Sequence, residues 1–148
     1  MERRELLRLL GGLAAISLTG SGSIGSARAG QKAASAMYAR CAQVCDECMR
    51  ACSACSRHCA AMLAAGHKEH ERTKRLSDDN RDICATAARI CARRGPMTAA
   101  ICEACATACD TCGAACSKYP DMKPMKDCAQ SCIACARACR EMVAALKG

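Results

Sequence analysis

The stretch Cys41-Ala42-Gln43-Val44-Cys45-Asp46-Glu47-Cys48-Met49-Arg50-Ala51-Cys52-Ser53-Ala54-Cys55-Ser56-Arg57-His58-Cys59 decides the fold. Its six Cys follow one another in steps of 4, 3, 4, 3 and 4. Alternating steps of three and four keep every Cys on one stripe of an α-helix, whereas a strand would need steps of two. The pattern returns at Cys102, Cys105, Cys109, Cys112 and Cys116, and again at Cys128, Cys132, Cys135 and Cys139. Cys84 and Cys91 stand one heptad apart. Each stripe is the seam of a helix bundle, with Cys where Leu normally sits.

The seams run on past the thiols. In the last segment the series is Met125, Cys128, Cys132, Cys135, Cys139, Met142, Leu146, and in the first it reaches from about Tyr38 to Met62. In the segment with two Cys, Ala88 fills the slot between them. Asp46, Glu47, Arg50, Arg57, Arg89, Glu103, Asp110, Arg137 and Arg140 fall between seam positions and face water. Gly66 to Asn80 reads as a charged connection, with Ser77 or Asp78 as N-cap of the second helix. Gly95-Pro96 ends the second helix and starts the third, and Tyr119-Pro120-Asp121 separates the third from the fourth. Short connections make antiparallel neighbours. The expected fold is therefore all-α, an antiparallel up-down-up-down four-helix bundle with a Cys-lined core, whose longest helix is the first, about residues 33–65.

Composition makes that core unusual. The chain has 148 residues, 17 of them Cys and 32 of them Ala, with two Tyr and neither Phe nor Trp. From residue 30 onward only two Val, four Ile and three Leu are available. Folding must offset roughly 1–2 kcal/mol of backbone entropy per residue, mainly by apolar burial, and Ala contributes little area. Disorder is a poor reading of a chain rich in Ala, Arg, Lys, Met and Glu, which are good helix formers. Disulfides or bound metal must complete the interior.

The first 29 residues read as an exported leader. Arg3-Arg4 precedes a short apolar stretch from Leu9 to Leu18, a Gly/Ser-rich run follows, and Ala27-Arg28-Ala29 supplies the small residues of a cleavage site. The arginine pair resembles a twin-arginine signal, although Leu6 stands where Phe is more usual. The expectation is a signal peptide over 1–29, a four-helix-bundle domain over 30–148, and a periplasmic destination; a non-functional leader leaves the protein cytosolic. The apolar stretch is too short to span a bilayer. Without the leader the net charge drops from +8 to +6. That surplus fits a solvated surface better than nucleic-acid binding, because no aromatic platform or groove-reading motif accompanies it.

Residues three or four apart on a helix have Cβ atoms about 5–6 Å apart, too far for the roughly 3.5–4.5 Å of a disulfide. A metal relieves the mismatch, since two bonds of about 2.3 Å let the sulfurs stand apart. Charge selects the metal. Four zinc ions, each taking four thiolates, would leave nine negative charges buried, at prohibitive cost. A soft monovalent ion at one per thiolate leaves none, and Cu(I) is the soft biological ion content with two or three thiolates. Ferredoxin-type spacing is absent, and a straight stripe does not wrap a cluster. Pairs such as Cys45/Cys48 and Cys102/Cys105 have redox-motif spacing but no strand pattern beside them.

Soft ligands also stand near the seam ends. Antiparallel topology gathers His58, Met62, Tyr119, Met122 and Met125 at one mouth, and Met37, Met97 and Met142 at the other. Thioethers bind Cu(I) reversibly, though Met125 and Met142 serve equally as apolar plugs, and Met49 reads as packing alone. His67 and His70 read as solvated loop residues.

The Cys-x-x-x-Cys and Cys-x-x-Cys series from Cys41 to Cys139, on four helices behind an apparent twin-arginine leader, resembles the four-helix-bundle copper storage proteins, the Csp family, in their exported branch. The resemblance implies that all 17 Cys point inward and bind many Cu(I) ions, with Met and His near an opening; the seam ends themselves offer His58, Met62, Met125 and Met142 as peripheral ligands. It implies copper held for a copper enzyme or chaperone, and a homo-oligomer, often a tetramer. It implies no catalysis, and the residues offer no acid–base pair on which to rest one. A zinc or mixed-metal thiolate buffer and a metal-free redox or structural bundle are the competing readings.

Overall fold

The computed structural model describes residues 23–148; Arg3-Arg4 and the apolar stretch of the leader lie outside the described residues. The described residues form four helices, α1 (Ser23–Ala64), α2 (Glu71–Ala92), α3 (Thr98–Cys116) and α4 (Lys123–Lys147), with a 3-10 turn at Lys68–His70 ahead of α2. The described residues contain no strand. The bundle is the unit Ala33–Gly148. Ser23–Lys32 falls in a separate N-terminal unit and is helical across the Ala27-Arg28-Ala29 tripeptide.

Contacts between thiols fix the register. Cys41–Cys102, Cys48–Cys109 and Cys55–Cys116 approach to 3.8, 3.8 and 3.5 Å, each pair separated by 61 residues, so α1 and α3 run parallel in heptad step. Cys45–Cys139, Cys48–Cys132 and Cys52–Cys128, at 3.6–3.8 Å, climb α1 while descending α4, so that pair is antiparallel. Cys91–Cys102 and Cys84–Cys105, both 3.6 Å, make α2 and α3 antiparallel. The result is the up-down-up-down bundle that the seams and breakers imply.

The second helix begins earlier than expected. Glu71 opens it, and Ser77 lies two turns inside, fully buried rather than capping. The buried face is Thr73, Ser77, Asn80, Cys84, Ala87 and Cys91, which repeats the 4, 3, 4, 3, 4 stepping of α1 with polar residues in its first half. Ala87 occupies the seam slot and Ala88 stands beside it, half-buried. Asp78 is also mid-helix; its carboxylate accepts from Ser56 Oγ (2.6 Å) on α1 and from Lys74 Nζ (2.7 Å) and Arg81 (3.2 Å) on α2.

Turn chemistry closes the helices. Gly66 adopts φ +96°, and His67 N–H donates to Met62 O at 3.0 Å, the long bond of a Schellman stop. At the end of α2 the left-handed residue is Arg94 (φ 54°), not Gly95. Gly95 N–H instead makes the long bond to Ile90 O (3.0 Å), where a Cβ would stand 3.2 Å from Ile90 Cγ2. Pro96 precedes α3, whose first residue Thr98 donates its hydroxyl to Gly95 O at 2.6 Å. Gly113 lets α3 and α4 meet closely, since a Cβ there would lie 3.1 Å from Cys132 Cβ.

Candidate metal centre

All 17 Cys are free and at most 2% exposed, so every seam thiol reaches the interior. The charged residues expected at the surface lie there, with Asp46 half-buried and the rest exposed. Thiol–thiol contacts of 3.5–3.8 Å all join different helices. The spacing alone implies clamps within single helices with a further ligand from the facing helix; the bundle gathers sulfurs mainly across helices, with Cys135/Cys139 and Cys128/Cys132 as pairs on one helix within a group. That is contact between reduced thiols, well beyond the roughly 2.05 Å of a disulfide.

The sulfurs sort into five groups whose members lie within 4.8 Å of one another. Three have four members: Cys45/Cys105/Cys135/Cys139, Cys48/Cys84/Cys109/Cys135 and Cys52/Cys112/Cys128/Cys132. Two have three, Cys41/Cys91/Cys102 and Cys55/Cys116/Cys128. Cys135 and Cys128 each belong to two groups, so neighbouring sites share sulfur and merge into a column. Only Cys59 stands outside every group, and burial pushes its thiol up to about 12.

Hydrogen bonding among the thiols pushes some of them toward the thiolate and others toward the thiol. Hydrogen bonds from Cys105 and Cys135 draw Cys45 down to about 6, and a bond from Cys102 draws Cys91 down to about 4. Cys132 and Cys135 move the other way, because they hydrogen-bond to neighbours that hold the negative charge. A thiol is a weak donor and a thiolate a better acceptor, so neighbouring groups cannot all ionise in a dry interior. A soft monocation replacing each proton removes that constraint.

Asn80 sits in the middle of the column, 1% exposed. Its Nδ2 donates to Cys52 Sγ (3.3 Å) and Cys132 Sγ (3.4 Å), while its Oδ1 accepts from Cys109 (3.5 Å) and Cys84 (3.6 Å). Ser77 Oγ donates to Cys55 Sγ at 3.4 Å and contacts Cys112 Sγ at 3.7 Å. Sequence reading missed both residues. The signal that would have found them is the stepping back from Cys84 by four, three and four.

The two ends of the column differ. His58 Nε2 lies 3.4 Å from Met122 Sδ. Met62 is half-buried and Met125 fully buried. His70 corrects the sequence reading: it is 1% exposed, stacks on Tyr119 at 4.6 Å, faces the His58 ring at 6.2 Å, and keeps a buried Nδ1 without a hydrogen-bond partner. Tyr119 holds its place by donating to Glu69 O at 3.2 Å. At the opposite end Met142 is buried and Met37 packs on the core, but Met97 is 60% exposed and joins no cluster.

A four-helix bundle whose interior is a continuous column of free thiols, with imidazole and thioether at one mouth, is by construction a multi-site holder of soft metal ions. Comparison with known proteins agrees. The copper storage protein family model matches residues 34–144, and the chain belongs to that family, Csp. It is similar to a cytosolic copper storage protein from Streptomyces lividans solved with five coppers, at 30% identity and TM-score 0.69, over 76% of this chain and 97% of that one. It is also similar to Cu(I)-bound BsCsp3, at 33% identity and TM-score 0.65, over 72% and 98%, and to apo-Csp3 from Bacillus subtilis, at 33% identity and TM-score 0.62, over 70% and 95%. No curated relative matches.

Proposed function

We propose that the protein stores Cu(I) at high capacity, and the observation that carries this is the column of sixteen grouped thiols sharing Cys128 and Cys135. Copper is the cargo, many ions to a chain. Each ion displaces a thiol proton and leaves a neutral copper–thiolate unit, so filling the bundle adds no buried charge. Ions exchange through the His58/Met122 mouth, where soft neutral ligands hold copper loosely. The stored copper serves a copper-requiring enzyme or chaperone. No enzymatic role is needed.

Anaerobic titration of reduced protein tests the reading. Saturation near one Cu(I) per Cys is expected; a plateau near four zinc ions with weak copper uptake would make the protein a zinc buffer. Stable disulfides without metal would make it a redox bundle.

Export rests on Arg3-Arg4 and the small residues at Ala27 and Ala29, and the family match beginning at residue 34 leaves room for a leader. A twin-arginine route would carry the bundle out already folded, before an oxidising compartment could scramble its thiols. No described helix is long and apolar enough to cross a membrane. Fractionation that finds the leader-bearing protein only in the cytosol would overturn export. Self-association as a tetramer is checked by light scattering.

A further inference from the structure

The geometry points to Cys41, Cys91 and Cys102 as a binding site for a trivalent thiophilic metalloid, with arsenite, As(OH)₃, as the ligand. Its chemistry requires three thiols and no more, and here all three edges of the sulfur triangle are contacts: Cys41–Cys102 3.8 Å, Cys41–Cys91 3.7 Å and Cys91–Cys102 3.6 Å. The centre of such a triangle lies about 2.1 Å from each sulfur, so an atom with bonds of about 2.3 Å sits just above the sulfur plane, as the apex of the three-sulfur pyramid that a trivalent metalloid forms. Each corner comes from a different helix, α1, α2 or α3, so the backbone of the bundle holds the triangle open.

The reaction is a condensation without redox change. Three S–H protons leave with the three hydroxides of As(OH)₃ as three waters, and three As–S bonds form. The product is neutral, which suits a dry interior. Arsenic(III) retains a lone pair, which needs an open side rather than a fourth ligand; the four-membered groups put a thiol there. In the other three-membered group Cys128 also belongs to the four-membered group of Cys52, Cys112 and Cys132 and approaches Cys52 at 3.7 Å, so further thiols stand beside it.

Access favours the same triangle. Cys41 lines a surface depression of about 230 Å³ with Ala36, Met37, Arg40, Ala138 and Glu141. Cys102 lines a second, of about 320 Å³, with Arg140 and Val143. Arsenite is uncharged at neutral pH and passes the Arg40–Glu141 rim without an electrostatic penalty.

The site borrows three thiols from the copper column but does not depend on copper being the natural cargo. The test uses reduced, metal-free protein with one equivalent of sodium arsenite, followed by alkylation and peptide mass mapping. The expected result is one bound arsenic, with Cys41, Cys91 and Cys102 protected together. C91A should bind arsenite roughly 100-fold more weakly, the scale of losing a tethered third arm. That variant should fold, because Ala87 already occupies a seam position of α2, and circular dichroism checks it. Protection at Cys55, Cys116 and Cys128 instead, an unaffected C91A, or no adduct would overturn the site. C91A keeps sixteen thiols for copper titration, so copper storage is judged separately.

Discussion

Two helices of this bundle share one stepping and differ in what it carries. The buried seam of α3 is Thr98 followed by five Cys, whereas α2 offers Thr73, Ser77, Asn80, Cys84, Ala87 and Cys91. Both seams bury equally well, so burial does not separate them. What differs is the product of burial. Along α3 every turn adds a ligand; along the first half of α2 the seam is polar, and Ser77 and Asn80 hydrogen-bond ligands supplied by the other helices. One helix contributes mainly capacity; the other, besides Cys84 and Cys91, hydrogen-bonds what the rest contribute.

The largest expected effect follows from capacity. Replacing Cys102, Cys105, Cys109, Cys112 and Cys116 together with Ser should lower Cu(I) saturation by about five ions and reach all five sulfur groups, because each includes an α3 thiol. Replacing Cys84 and Cys91 should cost about two. Equal losses by anaerobic titration would break the comparison. Copper itself should raise the melting temperature of wild type far more than that of the α3 variant, since ligands bound only to the folded state stabilise it by mass action and each site adds its own increment.

Asn80 comes next. Asn80→Ala strands the Cys52 and Cys132 sulfurs without their amide donor and opens a cavity at the waist, so the metal-free bundle should lose about 2–3 kcal/mol in chemical denaturation. Asn80→Cys should instead add a ligand, raising copper saturation by about one ion. A variant that folds yet takes up no extra copper would show that the amide does more than fill a seam position.

The difference between these helices also marks where the sequence was legible. Three Cys stripes gave helix, seam and inward orientation at once, because Cys at 3–4 spacing in a stretch with nine large aliphatics from residue 30 onward has nowhere else to go. Thr73, Ser77 and Asn80 were hidden because polar residues in a run containing Arg72, Lys74, Arg75 and Asp78 look like a solvated connection. For Ser77 and Asn80 the thiols supply hydrogen-bond partners that a hydrocarbon core would lack. His70 was hidden for a related reason: its burial under Tyr119 comes from the turn that precedes α2, which periodicity does not describe.

The pH response should be smaller but diagnostic. Cys59 is raised from the ordinary thiol value to about 12 by burial, with the Cys55 charge adding to it. A group raised on folding contributes stability that is fully present below its unfolded value and lost as pH climbs through the folded one. The metal-free protein should therefore weaken between about pH 9 and pH 12, and Cys59→Ala should flatten part of that fall. Loaded protein, whose thiolates are already metal-bound, should show little change across the same window in thermal melts followed by circular dichroism.

The smallest effect tests the outer face of α2, where no thiol is involved. Asp78 ties α2 to α1 through Ser56 and is flanked by Lys74 and Arg81, with its side chain 29% exposed. The hydrogen bond from Lys74, then that from Ser56, holds the carboxyl below the usual carboxylate range. Asp78→Asn should cost about 1 kcal/mol at neutral pH, because the ion pairs are partly solvated and mainly the charge-assisted bonds are weakened. A carboxylate lowered on folding stabilises above its unfolded pKa and loses that contribution as pH falls through the folded value, so wild type and variant should converge in acid. Copper saturation should not move. If it does, the two faces of α2 are coupled, and the polar half of its seam depends on this clamp for its position in the thiol column.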